Sequence, residues 1–153
     1  MSLAPFVPSP PRVVTAMLRL AELKEDETLF DLGCGDGRII IEAAQEFGAK
    51  ALGVELDEGR YNECLRKTRE THLEDRVEVI HGNLLEVDLR RADVVTLYLS
   101  PTTNDRVRPN LERDLRCGAR VVSYEFPISG WTPSKVEEIK EIWETHILYL
   151  YIR

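Results

Sequence analysis

An acid stands two residues ahead of three glycines at alternate positions. They are Asp31, then Gly33, Gly35 and Gly37, within Thr28-Leu-Phe-Asp-Leu-Gly-Cys-Gly-Asp-Gly-Arg-Ile-Ile-Ile41. A second acid, Glu55, closes the next apolar run. A glycine turn that opens a helix lets a ligand approach the backbone closely. Dinucleotide sites built this way favour G-x-G-x-x-G and seat a pyrophosphate at the helix start. Here Arg38 stands where the third glycine of that pattern belongs, and Asp31 and Asp36 have the wrong charge for a phosphate neighbour.

A ligand with an ammonium, a ribose and no phosphate fits these residues better. S-adenosylmethionine (SAM) is such a ligand. Asp31 suits its ammonium and Glu55 can accept from both ribose hydroxyls. Gly82-Asn83-Leu84-Leu85 offers adenine apolar walls and, through Asn83, an edge contact. The plain alternatives are an ordinary strand-to-helix connection at the glycines and a simple turn residue at Asn83.

The elements that must position these groups follow from periodicity. Prolines 5, 8, 10 and 11 favour an extended arm. A helix begins near Pro10 or Pro11 with Ser9 as a possible N-cap, and Val13 or Val14, Met17, Leu18 and Ala21 form its apolar stripe. Strands are expected at 29–32, 51–55, 77–80, 92–98 and 119–125, with helices at 36–47, 58–71 and 104–116. Pro109 implies that the last helix starts near 108 or kinks there. Two further runs, 136–143 and 146–152, read as a terminal antiparallel pair.

Alternating strands and helices predict an α/β fold. We expect a Rossmann-like, doubly wound, mostly parallel seven-stranded sheet with a C-terminal antiparallel hairpin. Residues 1–153 read as one domain, with 1–11 as an arm. Ligands then bind beyond the carboxyl ends of the strands, where strand order reverses. Asp31, Glu55, Asn83 and Tyr98 each lie at or just past such an end.

Composition narrows the partners. With 43% hydrophobic and 31% charged residues the chain is an ordinary globular sequence. The net charge of −7 disfavours nucleic acid and favours basic partners. Arg60, Arg66, Lys67 and Arg69 read as a solvated helix face rather than a basic patch. Cys34, Cys64 and Cys117 suggest neither a disulfide framework nor a metal site. No run is long and apolar enough to span a membrane, and the first residues do not resemble a signal peptide. A monomer in the cytoplasm is the expectation.

The stretch Asp31-Leu-Gly-Cys-Gly-Asp-Gly-Arg resembles motif I of class I SAM-dependent methyltransferases, and Gly53-Val-Glu55-Leu56 resembles their second motif. Pro5-Phe-Val-Pro-Ser-Pro, Leu111-Glu-x-x-Leu115 and Gly118-Ala-Arg-Val-Val-Ser-Tyr-Glu-Phe-Pro-Ile-Ser-Gly-Trp131 resemble a narrower group. It comprises small archaeal, Dot1-like protein-lysine methyltransferases and the mitochondrial enzymes that modify lysines of ATP synthase and of the adenine-nucleotide carrier. Two features depart from it. The arm reads Phe6-Val7-Pro8 where these relatives usually have Tyr-Val-Pro. Strand four ends Leu97-Tyr-Leu-Ser-Pro101, without the Asn/Asp-Pro-Pro-Tyr/Phe signature of amide and nucleobase methylation.

The resemblance implies N-methylation of lysines in a protein substrate. A small-molecule or RNA methyltransferase is the alternative, and a non-catalytic SAM-binding protein a third. Cofactor contacts are expected from Pro8, Asp31, Gly33, Gly35, Gly37, Glu55, Leu56, Asn83 and Leu84, with no metal. The arm would fold over SAM. A lysine has a pKa near ~10.4, so making it neutral at pH 7 costs about 4–5 kcal/mol. Phe6, Tyr98, Tyr124, Phe126 and Trp131 could wall a dry channel that holds the neutral amine. Tyr98, Tyr124 and Glu125 are the polar candidates for catalysis.

Overall fold

Apolar runs of four to six residues, three of them followed directly by an α-helix, leave the parallel strands no partner but one another. The computed structural model describes residues 8–153. Five strands, β1 (Thr28–Leu32), β2 (Lys50–Glu55), β3 (Val77–His81), β4 (Val94–Leu97) and β5 (Arg120–Tyr124), are parallel. The closing strands β6 (Lys135–Lys140) and β7 (Thr145–Ile152) pair antiparallel, and β7 also pairs antiparallel with β5. The sheet order is β3-β2-β1-β4-β5-β7-β6. The expected seven-stranded Rossmann-like sheet with a terminal hairpin is therefore present.

Among the described residues, four α-helices cover the faces: α1 (Pro11–Leu20), α2 (Arg38–Phe47), α3 (Glu58–Glu70) and α4 (Pro101–Asp114). One apolar cluster joins α1 and α2 to Val94, Val122, Tyr124, Leu148 and Leu150. A second, on the other face, joins Val107 and Leu111 of α4 to Leu32, Val95, Leu97, Val121 and Tyr151. β4 is buried at every position, which explains its lack of polar alternation.

Several boundaries move, each for a local reason. Helix α2 starts at Arg38 rather than Asp36, because Gly37 adopts φ 87°, outside helical space. Ser9 does not cap α1. Pro10 holds the N-cap position, while buried Ser9 offers its carbonyl to Arg38 Nη1 at 2.9 Å. Helix α4 starts neither at 104 nor at 108. Ser100 caps it by accepting from the Thr103 N–H, Pro101 fills its first turn, and Pro109 lies inside it. Strand β5 ends at Tyr124, one residue early, because Glu125 has φ 69°.

Order reverses at β1, which has β2 on one side and β4 on the other. Asp31 is in register with Gly53 and with Thr96. Gly53 is required by close approach. A Cβ there would lie 2.7 Å from Cys34 Sγ and 2.9 Å from Ile40 Cδ1, so a side chain would push the glycine turn off the sheet. Gly82 has a φ open to any residue, and its added Cβ would meet Ile80 at an ordinary 3.6 Å. Gly53→Ala should therefore lower unfolding free energy by about 1–3 kcal/mol in urea titrations. Gly82→Ala should stay within ~0.5 kcal/mol of the parent.

Candidate active site

At the reversal point, Asp31 is only 3% exposed. Its Oδ1 accepts from the Thr96 hydroxyl at 2.9 Å. Burial pushes the carboxyl up to about 7 against that bond, and the nearby Glu55 and Asp36 charges add to the rise. Among the described residues, no cation pairs with this carboxylate. Asp36, five residues on, is the reverse case. Arg38 donates to both its oxygens at 3.0 and 2.6 Å and Lys67 Nζ adds a contact at 3.2 Å, which together hold it down at about 2. Arg38 therefore ties the glycine turn to Ser9, beside Pro8 of the arm.

The turn itself is built of backbone. The N–H groups of Gly33 and Cys34 both donate to the Val54 carbonyl at 2.9 Å. Gly33, Gly35 and Gly37 have φ of 81°, 57° and 87°. Gly35 N–H donates to Glu55 Oε1 at 2.8 Å, and Asp57 N–H donates to Oε2 at 2.9 Å. The carboxylate expected to hold a ribose is thus fixed to the turn, with lone pairs left over. Leu56 follows it, half-buried, and its carbonyl meets His81 Nε2 at 2.9 Å.

The loop after β3 also closes on the turn. A Cβ on Gly33 would lie 3.1 Å from Leu99 and 3.8 Å from Leu84. Asn83 Oδ1 accepts from Leu85 N–H at 2.8 Å, so its side-chain carbonyl caps a short 3-10 turn. Cys34 is buried, and its hydrogen bond to Cys64 together with burial raises its thiol well above the ordinary range. That is the condition of an inert, packing cysteine.

The catalytic candidates assemble one strand over. The rings of Tyr98 and Tyr124 lie 4.1 Å apart. Burial raises both phenols, most strongly Tyr124, which is also near Tyr98 and the acids Glu125, Glu144 and Glu141. The Tyr124 hydroxyl is 2.6 Å from His146 Nδ1. His146 is buried on β7, and its Nε2 faces Glu141 at 3.4 Å and Glu144 at 3.6 Å. Sequence reading missed His146, which sits in a run read only as β-forming. Antiparallel register, not sequence proximity, brings it beneath Tyr124.

Glu125 is the strained member of the group. Its φ of 69° and the 2.9 Å bond from Phe126 N–H to the Tyr124 carbonyl define a three-residue γ-turn of the rarer, positive-φ kind. Such strain persists only where the surroundings impose it. Here Glu125 N–H donates to Ile147, and both Ser123 Oγ and Asn104 Nδ2 donate to the Phe126 carbonyl, at 2.5 and 3.1 Å. Glu125 Oε1 is 4.0 Å from His146 Nδ1. Trp131, a candidate wall, instead packs in the opposite-face cluster, 5.6 Å from the Tyr151 ring with Arg153 over it. Phe6 lies outside the described residues.

Among known proteins, the chain is 43% identical to a protein-lysine N-methyltransferase of Saccharolobus islandicus, over 97% of this chain and 92% of that protein. It is 30% identical to the adenine nucleotide translocase lysine N-methyltransferase of Mus musculus, over 91% of this chain but 61% of the longer mouse protein. A crystal structure of an RNA methyltransferase from Salinibacter ruber, in complex with S-adenosyl-L-homocysteine, superposes with TM-score 0.91 at 38% identity. That match covers 95% of this chain and 93% of the other. The family model for the ANTKMT methyltransferase domain takes in residues 31–135, from the buried acid of β1 to the start of β6, and the chain belongs to that family.

Proposed function

We propose that this protein is a SAM-dependent protein-lysine N-methyltransferase. The observation that carries the cofactor assignment is Asp31, a buried carboxylate in want of a cation at the open end of the glycine turn. Asp31 would take the ammonium of SAM, Gly33, Gly35 and Gly37 would line its amino-acid end, and Glu55 its ribose. Leu56, Asn83 and Leu84 would flank the adenine, and Pro8, anchored through Ser9, would close the arm over it. SAM supplies an electrophilic methyl group on a sulfonium. We read residues 1–153 as one methyltransferase domain with 1–11 as its arm.

The acceptor chemistry rests on the second cluster. A lysine must lose a proton before its nitrogen can attack. Tyr98 and Tyr124 present aromatic faces that exclude water, and the Tyr124 hydroxyl is joined to an exit path. As Tyr124 takes a proton from the ammonium, it releases its own to His146 Nδ1. The Nε2 proton of His146 then leaves toward Glu141 and solvent. One proton departs per methyl transferred, which balances a cationic lysine and a cationic sulfonium against a methylammonium and a neutral thioether. Glu125 lies where it can orient the amine. The lysine reading draws on the Saccharolobus islandicus and mouse relatives. The Salinibacter ruber structure, by its description, raises RNA as a second acceptor. The net charge of −7 favours protein. Labelled SAM offered with a lysine-rich protein or with RNA separates the two: label in lysine supports the proposal, and label in RNA alone overturns it.

Asp31→Asn keeps the Thr96 contact but removes the charge. It should weaken SAM binding about tenfold to a hundredfold in calorimetry. SAM needs the ionised carboxylate, so wild-type affinity should fall about tenfold per unit as pH drops below 7. The same shift gives the sign for stability. Asp31 has a raised folded-state pKa, so ionising it destabilises the ligand-free fold as pH rises from the ordinary 3.8 through about 7. SAM should therefore raise the melting temperature more at pH 8 than at pH 6. Tyr124→Phe should lower turnover at pH 7 at least ~10-fold with SAM affinity unchanged. The deficit should shrink near pH 9.5, where more of the amine is already neutral.

A further inference from the structure

The hairpin between β6 and β7 breaks the usual chemistry of a turn. Glu141 N–H donates to the Glu144 carbonyl at 2.8 Å, closing a two-residue loop. Its central residues are Ile142 and Trp143. Such positions ordinarily carry Gly, Asn or Asp. These two side chains are 90% and 93% exposed. The other large apolar side chains notably exposed among the described residues, Val136 and Ile152, reach only 48% and 57% and stand singly. A local rule broken without a packing gain points to function.

Register shows where the tip sits. β7 runs antiparallel to β5, with Tyr124 opposite Leu148. The last hairpin pair is Lys140 with Thr145, so residues 141–144 extend past the carboxyl end of β5. That is the end that carries Tyr124, Glu125 and the other candidate site residues. Glu141 and Glu144 flank the apolar pair and also face His146. Arg12 of α1 meets Glu141 at 3.5 Å, and Glu138 lies 3.9 Å from Lys140, which offsets that lysine's charge. An apolar, aromatic knob within an acidic collar is thus held at the end of the sheet that carries Tyr124.

We propose that the Ile142–Trp143 tip docks the lysine-bearing segment of a basic protein substrate. The inference rests on the lysine-methyltransferase reading above. Trp143 offers an aromatic face to a basic side chain next to the target lysine, and Ile142 offers an aliphatic contact. The collar of Glu141 and Glu144 supplies complementary charge, which orients the segment toward Tyr98 and Tyr124. A free lysine derivative, too small to span from the tip to the tyrosines, gains nothing from the knob.

The test compares wild type with the I142S/W143A double variant, both at highly exposed positions. Initial rates are measured with core histones and, separately, with Nα-acetyl-lysine amide, and SAM affinity by calorimetry. The expected result is a KM for histones raised about tenfold, the loss typical of one exposed hot spot. SAM affinity and the rate with the small amide should match wild type. An unchanged histone KM overturns the docking role while leaving the methyltransferase reading intact. Wild type that labels no protein overturns that reading, and the docking role with it. Two further outcomes also overturn the proposal: a wild-type dimer that the variant converts to monomer in sedimentation, and Trp143-dependent binding to phosphatidylcholine vesicles.

Discussion

A carboxylate placed where water does not reach must be neutralised, hydrogen-bonded or paired, and the architecture at the sheet's reversal point turns on how this is met for Asp31. Thr96 supplies one hydrogen bond from β4, and Gly53, in register on β2, has no side chain to offer. Neither supplies a positive charge. Among the described residues the acid is uncompensated, and a ligand ammonium can balance its charge. Binding and ionisation of one side chain become a single event. Arg38 and Lys67 are engaged by Asp36, not by Asp31.

The contrast between Asp31 and Asp36 shows how environment divides labour between like groups. They stand five positions apart, yet burial pushes one up to about 7 and ion pairing holds the other at about 2. Asp36 is a structural clamp. Through Arg38 it fastens the glycine turn to Ser9, and through Lys67 to α3. Glu55 has a third role, accepting from Gly35 and Asp57 and so locking the turn against β2. Each carboxylate is explained by what it touches rather than by its place in a motif.

The acceptor side is built differently, from strain and from long-range pairing. The γ-turn at Glu125 is held by Ser123, Asn104 and Ile147, which belong to β5, α4 and β7. His146 reaches Tyr124 only because β7 inserts between β5 and β6. The C-terminal hairpin is therefore more than an edge covering. It supplies the imidazole that meets the tyrosine hydroxyl and carries the exposed tip past the rim.

Local physics made much of this protein legible from its residues. Short apolar runs alternating with helical stripes foretell the parallel sheet. The glycine spacing with Asp31 and Glu55 tells a SAM turn from a dinucleotide turn, because ligand charge must complement side-chain charge. The placement of Leu84 beside Gly33 also follows, since parallel strands gather their carboxyl ends along one rim. Other features depended on contacts between distant segments. Pro109 inside α4 is tolerated because Ser100 and the buried Val107 and Leu111 anchor the helix around it. Trp131, in the loop after β5, joined the opposite face because Ile128 N–H donates to the Tyr151 hydroxyl at 2.9 Å and Trp131 N–H to the Ile128 carbonyl at 3.2 Å, which ties that loop to Tyr151 of β7. The elevation of Asp31 and the bond from Tyr124 to His146 arise from burial and antiparallel register. A linear pattern of residue types contains neither quantity, since both come into being only when strands far apart in the chain are laid side by side.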